Sequence, residues 1–312
     1  MRKVIGIGET VLDIIFTDDN PISATPGGSV FNSMISLGRA GVESMLISEV
    51  GNDRIGRRTV DYLKENGVDP THVCMHADGK SPLSLAFLNK DKDAEYIFYK
   101  DHPNDRLDFV CPEIRRDDIV MLGSYYAVNP VIRRQVQTVL ERAKEAGAII
   151  YYDVNFRTSH AHEVMKLTPN ILENYEFADI VRGSSEDFNV MYNKNEGEDV
   201  YRSNISFYCK KFIYTNGSQP VTLFADGNFS KTYPIGEVEA VSTIGAGDNF
   251  NAGLVYGMIR YGVTRDMIDA GLDAALWDRL MACAMSFSAE CCRSIGNSIS
   301  REFAEKLGEM NF

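Results

Sequence analysis

The sequence predicts an α/β fold: a mostly parallel, doubly wound sheet flanked by helices, with a small β-sheet lid. Three observations predict it. Short apolar runs alternate with segments of helical period almost from one end of the 312 residues to the other, which is the mark of successive βα units. A strand-like run, a glycine turn and an amphipathic helix follow one another at 241–259. Two polar interruptions after early strands, approximately 14–25 and 81–99, are too long for tight βα turns.

Taken in order, VIGIG at 4–8 reads as a first buried strand. Ser29 to Gly41 carries Val30, Phe31, Met34, Ile35 and Leu37 in helical phase, with Ser29 as its N-cap. SMLISEVG is the next strand. Asp53 caps a helix whose core face is Ile55, Val60 and Leu63, and Asn66-Gly67 stops it. PVIRRQVQTVLERAKEAG is helical, with Ile132, Val136, Val139, Leu140 and Ala143 in phase. The runs AIIYYDV, DIV at 179–181 and FIYT at 212–215 are strands. VEAVST at 238–243 is read as a strand feeding a helix with Leu254, Val255, Met258 and Ile259 on its apolar face, and helices fill Asp266 to Leu307. SPLSLAFLNKDKDAEYIFY reads as a β-hairpin with a charged loop. Both interruptions then pair into a small sheet over the strand ends, where open α/β sheets bind ligands.

Composition narrows the function classes. Asp+Glu 44 against Lys+Arg 32 gives a formal charge of −12, and no basic cluster offers a field for nucleic acid or anionic lipid. The opening Met1-Arg2-Lys3 and VIGIG are interrupted by Glu9 and Asp13 before an apolar run of secretory length forms, and none reaches the ~18 residues of a membrane span. A cytoplasmic protein is expected. Six cysteines lack CxxC or CxxH spacing, which points to reduced thiols over disulfides or zinc. No repeat or linker divides the chain, so a single domain over 1–312 is expected, with the lid inserted at approximately 14–25 and 81–99.

The strongest chemical signal is VSTIGAGDNFNAGLVYGMI at 241–259. Gly245, Ala246 and Gly247 lack bulky side chains, so their N–H groups can approach a phosphate at a helix N-terminus, where the dipole favours negative charge. Asp248, in the first turn, is placed to stay ionised and accept a hydroxyl proton as a general base. The bland alternative is a helix-capping acid. YYDVNFR sets Asp153, Asn155 and Arg157 just beyond a buried strand. There an arginine stabilises charge on a transferred phosphoryl group, or merely pairs with Asp153. GIGETV at 6–11 lacks the last small residue of a dinucleotide fingerprint, and no GxxxxGK[ST] loop exists. His160 and His162 fall in a polar loop beginning at Thr158, and Trp277 with LMACAMSF fits a buried helix.

The GAGD stretch resembles the C-terminal motif, usually DTxGAGDxF, of the ribokinase-like (PfkB-type) carbohydrate kinases. The N-terminal family motif appears as PGGSVFNSMISLGRAGVESMLISEVGNDRIGRRTVDYLKENGVD at 26–69. With GETVLDIIF near the start, the resemblance covers essentially the whole chain and is closest in motifs to fructokinases. It implies that Asp13, Gly27, Gly28 and Asn32 hold the sugar. Glycines let the backbone press against the ligand, and an amide offers both donor and acceptor to hydroxyls. Asp153, Asn155 and Arg157 match the D-x-N-x-R element of fructokinases and ketodeoxygluconate kinases, the first two on the sugar side.

Further along, ADIVRGSSEDF resembles the family's N-x-x-E region. Ser184 and Asp187 stand at those positions, which implies that Asp187 contacts Mg²⁺ through water. YTNGSQP resembles a T-x-G-x-x-G nucleotide loop, retaining Thr215 and Gly217 with Pro220 at the second glycine; a plain β-turn is the alternative. Gly296 stands for the adenine-side glycine. The leading acid of the GAGD motif, which in related enzymes helps to hold a monovalent cation, is Ser242 here, so little or no K⁺ activation is expected.

The resemblance implies ATP and Mg²⁺ as cofactors and a sugar as partner, with fructose first. Ketodeoxygluconate, ribose or a nucleoside are alternatives, as is a sugar-binding regulator with weakened catalysis. The lid is expected to exclude water, and its edge to offer a homodimer contact.

Overall fold

A computed structural model of the protein describes residues 2–88, 94–101, 109–226 and 229–312. They form two compact units, one of Met1–Pro112, Val238–Gly262 and Ala275–Phe312, the other of Glu113–Glu237 and Val263–Ala274.

In the first unit the buried strand Val4–Ile7 runs parallel to Ser44–Gly51, Val4 opposite Ser44. The latter also pairs in parallel with Val68–Asp69 and Val73–His76. Helices Ser29–Arg39 and Ala246–Arg260 pack on each other. A separate sheet follows the order Asn20–Gly27, Val11–Thr17, Lys80–Leu88, Ala94–Asp101. Its outer pairs are antiparallel and its central pair parallel. Both polar interruptions thus join one small sheet, as the sequence predicts. The charged loop at 89–93 and the stretch 102–107 of EYIFYKDHPNDRL lie outside the described residues. Period-2 geometry sets the face of each side chain here: Val11, Asp13 and Ile15 are buried, whereas their neighbours Leu12 and Ile14 are half-exposed. A carboxylate therefore stands on the apolar face. Ile15, Ala86 and Ile244 pack together beneath it, and Phe16 stacks on Phe87 with centroids 4.7 Å apart.

In the second unit four parallel strands, Ile119–Gly123, Ile149–Asp153, Ile180–Ser184 and Phe212–Asn216, pair in sequence. Antiparallel Gln219–Ala225 and Phe229–Tyr233 extend them. The first two are buried along their whole length, as parallel strands covered on both faces must be. Helix Arg133–Ala146 buries Val136, Val139, Leu140 and Ala143 as expected.

Several local expectations give way. Residues 238–243 form no strand: the N–H groups of Val241 and Ser242 donate to the Cys292 carbonyl at the end of helix Ala274–Cys292, and Ser242 Oγ accepts from Ile244 N, so the backbone is already committed. Ser29 does not cap its helix, whose N-cap is Gly28 without a side-chain bond. The helix Arg54–Glu65 is capped by Asp53, but buries Gly56, Thr59 and Leu63, with Ile55 and Val60 half-buried. Close packing favours the smaller Gly56, since a Cβ there would lie 1.9 Å from the Gly51 carbonyl oxygen. Thr158–Glu163 is a short 3₁₀ helix, not a loop, and His160 stacks on Tyr125. The described cysteines form no disulfide, and Trp277 is fully buried. No helix among the described residues is long and apolar enough to cross a membrane.

Candidate active site

In the first unit the chain enters helix Ala246–Arg260 through Gly245, whose φ of 77° lies in the left-handed region that favours glycine. The first turn brings Gly247, with one of the N–H groups a helix leaves without an i−4 acceptor, and then Asp248. This carboxylate is only 8% exposed. Its Oδ1 accepts from Ser29 Oγ and its Oδ2 from Asn32 Nδ2, both at 2.8 Å, and its backbone carbonyl accepts from Ser33 Oγ at 2.8 Å. Ser36 Oγ donates to Asn249 Oδ1 at 2.5 Å. Residues 29, 32, 33 and 36 share one face of a helix, so a polar seam runs between two helices with Asp248 at one end.

The second carboxylate is Asp13. Ser84 Oγ donates to its Oδ1 at 2.5 Å and Asn297 Nδ2 to its Oδ2 at 2.9 Å. A Cβ on Gly27 would lie 2.0 Å from Asp13 Oδ2, and one on Gly28, at φ +129°, would lie 2.3 Å from the Glu9 carbonyl oxygen. Both positions therefore require glycine. Asn297 also accepts, through its backbone carbonyl, from Asn249 Nδ2 at 2.9 Å. Two buried amide oxygens, Asn32 Oδ1 and Asn297 Oδ1, have no hydrogen-bond partner among the described residues. Buried acceptors of this kind call for a donor, and hydroxyl groups are the matching chemistry. Gly296 is exposed and donates to Ser294 Oγ.

In the second unit Asp153 ends its strand 1% exposed and pairs with Arg182 at 3.0 Å. Arg182 also donates to Thr215 Oγ1 at 2.7 Å. Arg182 thus supplies an ion pair to Asp153, where the alternative reading of the sequence paired that acid with Arg157. Burial lowers the guanidinium's proton affinity, but Asp153 and other nearby acidic groups more than reverse this. Asp187 closes a capping box with Ser184: Oδ2 accepts from the Ser184 N–H and Oγ, and Oδ1 accepts from Phe156 N at 2.7 Å. Burial, reinforced by the Asp153 charge, pushes Asp187 up to about 6 despite these bonds. Asn155 adopts a positive φ of 37° and half-buried Arg157 precedes the 3₁₀ helix. Gly217, at φ 54°, and Ser218 make the two-residue turn of a hairpin in which Asn216 faces Gln219, so the β-turn reading describes this loop. Among the described residues no three His, Cys, Asp or Glu side chains converge as a metal site.

Sequence reasoning missed four of these residues. Ser29, Ser84 and Asn297 carry short polar side chains, and only Ser29 belongs to a periodic pattern, the 29/32/33/36 stripe. Arg182, charged and in mid-strand, was the visible signal for a buried partner.

A family model described as pfkB family carbohydrate kinase matches residues 1–278. Probable fructokinase-5 of Arabidopsis thaliana is 26% identical over 262 residues, covering 79% of this chain and 80% of that protein. The 5-dehydro-2-deoxygluconokinase of Geobacillus thermodenitrificans is 28% identical over 247 residues, covering 75% and 72%. The crystal structure of aminoimidazole riboside kinase from Salmonella enterica, complexed with aminoimidazole riboside and an ATP analog, superposes with a TM-score of 0.82 at 22% identity over 99% of each chain.

Proposed function

The chain belongs to the pfkB family of carbohydrate kinases, and from that premise we propose that it transfers the γ-phosphoryl group of ATP to a sugar hydroxyl, with fructose the first acceptor. One observation carries the reading: Asp248 is held by two neutral donors, Ser29 and Asn32, in the first turn of a helix that opens on a glycine.

Each carboxylate oxygen offers two lone-pair sites, so the bonds from Ser29 and Asn32 fix the orientation of Asp248 and leave capacity for a substrate proton. Neutral donors do not quench the carboxylate as an arginine would. Asp248 accepts the proton of the attacking hydroxyl. Asn32 orients the base through Nδ2 and meets the sugar through Oδ1, while Asp13, Gly27 and Gly28 hold further hydroxyls. The residues fit a phosphate: Gly245 has no side chain, and the Gly247 N–H lies in the first turn of a fifteen-residue helix whose dipole favours an anion, while the Ala246 N–H donates to the Thr243 carbonyl. When bound, Mg·ATP supplies the phosphoryl group, and the ion offsets charge on its oxygens. Mg²⁺ commonly keeps several waters and takes only one or two carboxylates, which Asp187 fits as a water-mediated partner.

Within the second unit the motif resemblance assigns Arg157 to charge on the phosphoryl group, Asp153 and Asn155 to the sugar, and Thr215 and Gly217, like Gly296 of the first unit, to the nucleotide. The family model runs through both units, which supports one kinase domain with a lid formed by the small sheet. The lid's edge strand exposes Ile97, Phe98 and Tyr99 in succession, which supports a homodimer through that edge.

Fructose rests on the fructokinase-like motifs. The compared proteins are named for three different acceptors, so ketodeoxygluconate, ribose and nucleosides stay in the test. That test is ADP release, measured with Mg·ATP across fructose, ketodeoxygluconate, ribose and adenosine. Saturable turnover on one of them is expected. Saturable sugar binding with no ADP from any acceptor would replace the kinase with a binding regulator.

A further inference from the structure

Asn297 is 4% exposed and its amide is gripped from one end only. Nδ2 donates to Asp13 Oδ2 at 2.9 Å, and Gly27 closes on the same nitrogen, since a Cβ there would lie 3.0 Å from it. The backbone is held as well: the Asn297 carbonyl oxygen accepts from Asn249 and would lie 3.0 Å from a Cβ on Gly245. Asn297 therefore ties the Asp13 cluster to the turn that precedes Asp248.

These contacts fix the direction of the amide. Flipping it would set Oδ1 against the Asp13 carboxylate, two acceptors face to face, so the nitrogen must point at Asp13 and the oxygen away. The oxygen is then the end left over, buried and without a partner among the described residues. An acceptor in that condition costs free energy until a donor reaches it. Because an amide oxygen only accepts, it calls for an O–H or N–H donor, which a ligand hydroxyl supplies. No cation is called for beside it, since the adjacent carboxylate already has two donors.

We propose that Asn297 is a specificity-determining residue of the acceptor site: Nδ2 positions Asp13, and Oδ1 receives the proton of one acceptor hydroxyl. This rests on the sugar-kinase reading and deepens it, predicting that one hydroxyl is read by Asn297 and that its deoxy analogue is rejected. A site built to bond a hydroxyl discriminates strongly against the analogue lacking it, because its buried partner is then left unpaired.

The test uses the full chain and the best acceptor of the panel together with its singly deoxygenated analogues. Asn297→Ala is expected to raise KM by about tenfold or more, the scale of one buried hydrogen bond, with kcat within about threefold. Calorimetric Kd values for the sugar without ATP are expected to rise in parallel. One deoxy analogue is expected to bind wild type and variant equally, since the bond removed by the substitution is already missing. Asn297→Ser, which keeps a donor toward Asp13, carries the same expectation if the alanine variant does not fold. An active wild type with unchanged KM and Kd in the variant would overturn the inference alone. So would an equal penalty for the parent sugar and every analogue, which would leave Asn297 as a support for Asp13. A wild type that neither binds nor phosphorylates any acceptor overturns the kinase reading and the inference with it.

Discussion

The two units hold their carboxylates in opposite ways. In the first, Asp248 and Asp13 are met by neutral donors from Ser29, Asn32, Ser84 and Asn297, and two amide oxygens beside them stay unpartnered among the described residues. In the second, Asp153 is matched by a buried guanidinium that also binds Thr215, and Asp187 is consumed by a capping box and the Phe156 N–H. Neutral donors orient a carboxylate while preserving its negative charge and its capacity to accept a proton. An arginine neutralises it. The first arrangement suits accepting a proton, and the second fixes the position of its carboxylates at the strand ends.

Substitutions can break that contrast. Arg182→Met removes the guanidinium that faces the buried Asp153 carboxylate, so it should cost about 3–5 kcal/mol of stability, the scale for halving a buried ion pair. Urea unfolding measures it, and a loss under about 1 kcal/mol would show that the second unit does not depend on this pair. Asp248→Asn should do the reverse, lowering kcat by at least ~10²-fold while the melting temperature shifts by less than about 4 °C. Near-normal turnover would remove Asp248 from its role.

A finer distinction comes from pH. Asp187, at about 6 in the folded protein against an ordinary 3.8, binds more protons folded than unfolded between those values. Its contribution is therefore favourable at low pH and lost as pH rises from about 4 to about 6, by at most about 1.4 kcal/mol per pH unit. Asp187→Asn should flatten that part of the stability profile. Identical profiles for the two proteins would mean the group titrates normally. The smallest expected effect is that of potassium: with Ser242 fully buried and bonded to Ile244 N, added KCl at constant ionic strength should change the rate less than about twofold. A neutral hydroxyl is a much weaker cation ligand than a carboxylate, and a large activation would contradict this.

Legibility followed the range of the interactions. Asp248 and its glycine turn could be read because the turn and helix signals sit within twenty residues. Gly27 and Gly28 could be read as a site, although the reason each must be glycine, contact with Asp13 and with Glu9, lies elsewhere in the chain. The run at 238–243 misled because its apolar character suits a strand while its N–H groups are taken by the end of a distant helix. The buried pair of Asp153 with Arg182 could not be read, since Arg157 is near in sequence and Arg182 is near only after two strands pair.

By itself the sequence determined most of the order of elements, the two insertions that build the small sheet and the acid beside the glycine turn, while the family followed from the resemblance of its motifs. The structural features arise from periodicity and local steric rules, which act over a few residues. Tertiary structure alone decided which donors hold Asp13 and Asp248 and that Asn297 joins them. The bonds from Ser29, Asn32 and Asn297 link positions more than two hundred residues apart and that from Ser84 spans 71, and a buried serine or asparagine becomes a ligand only when packing brings an acceptor to it.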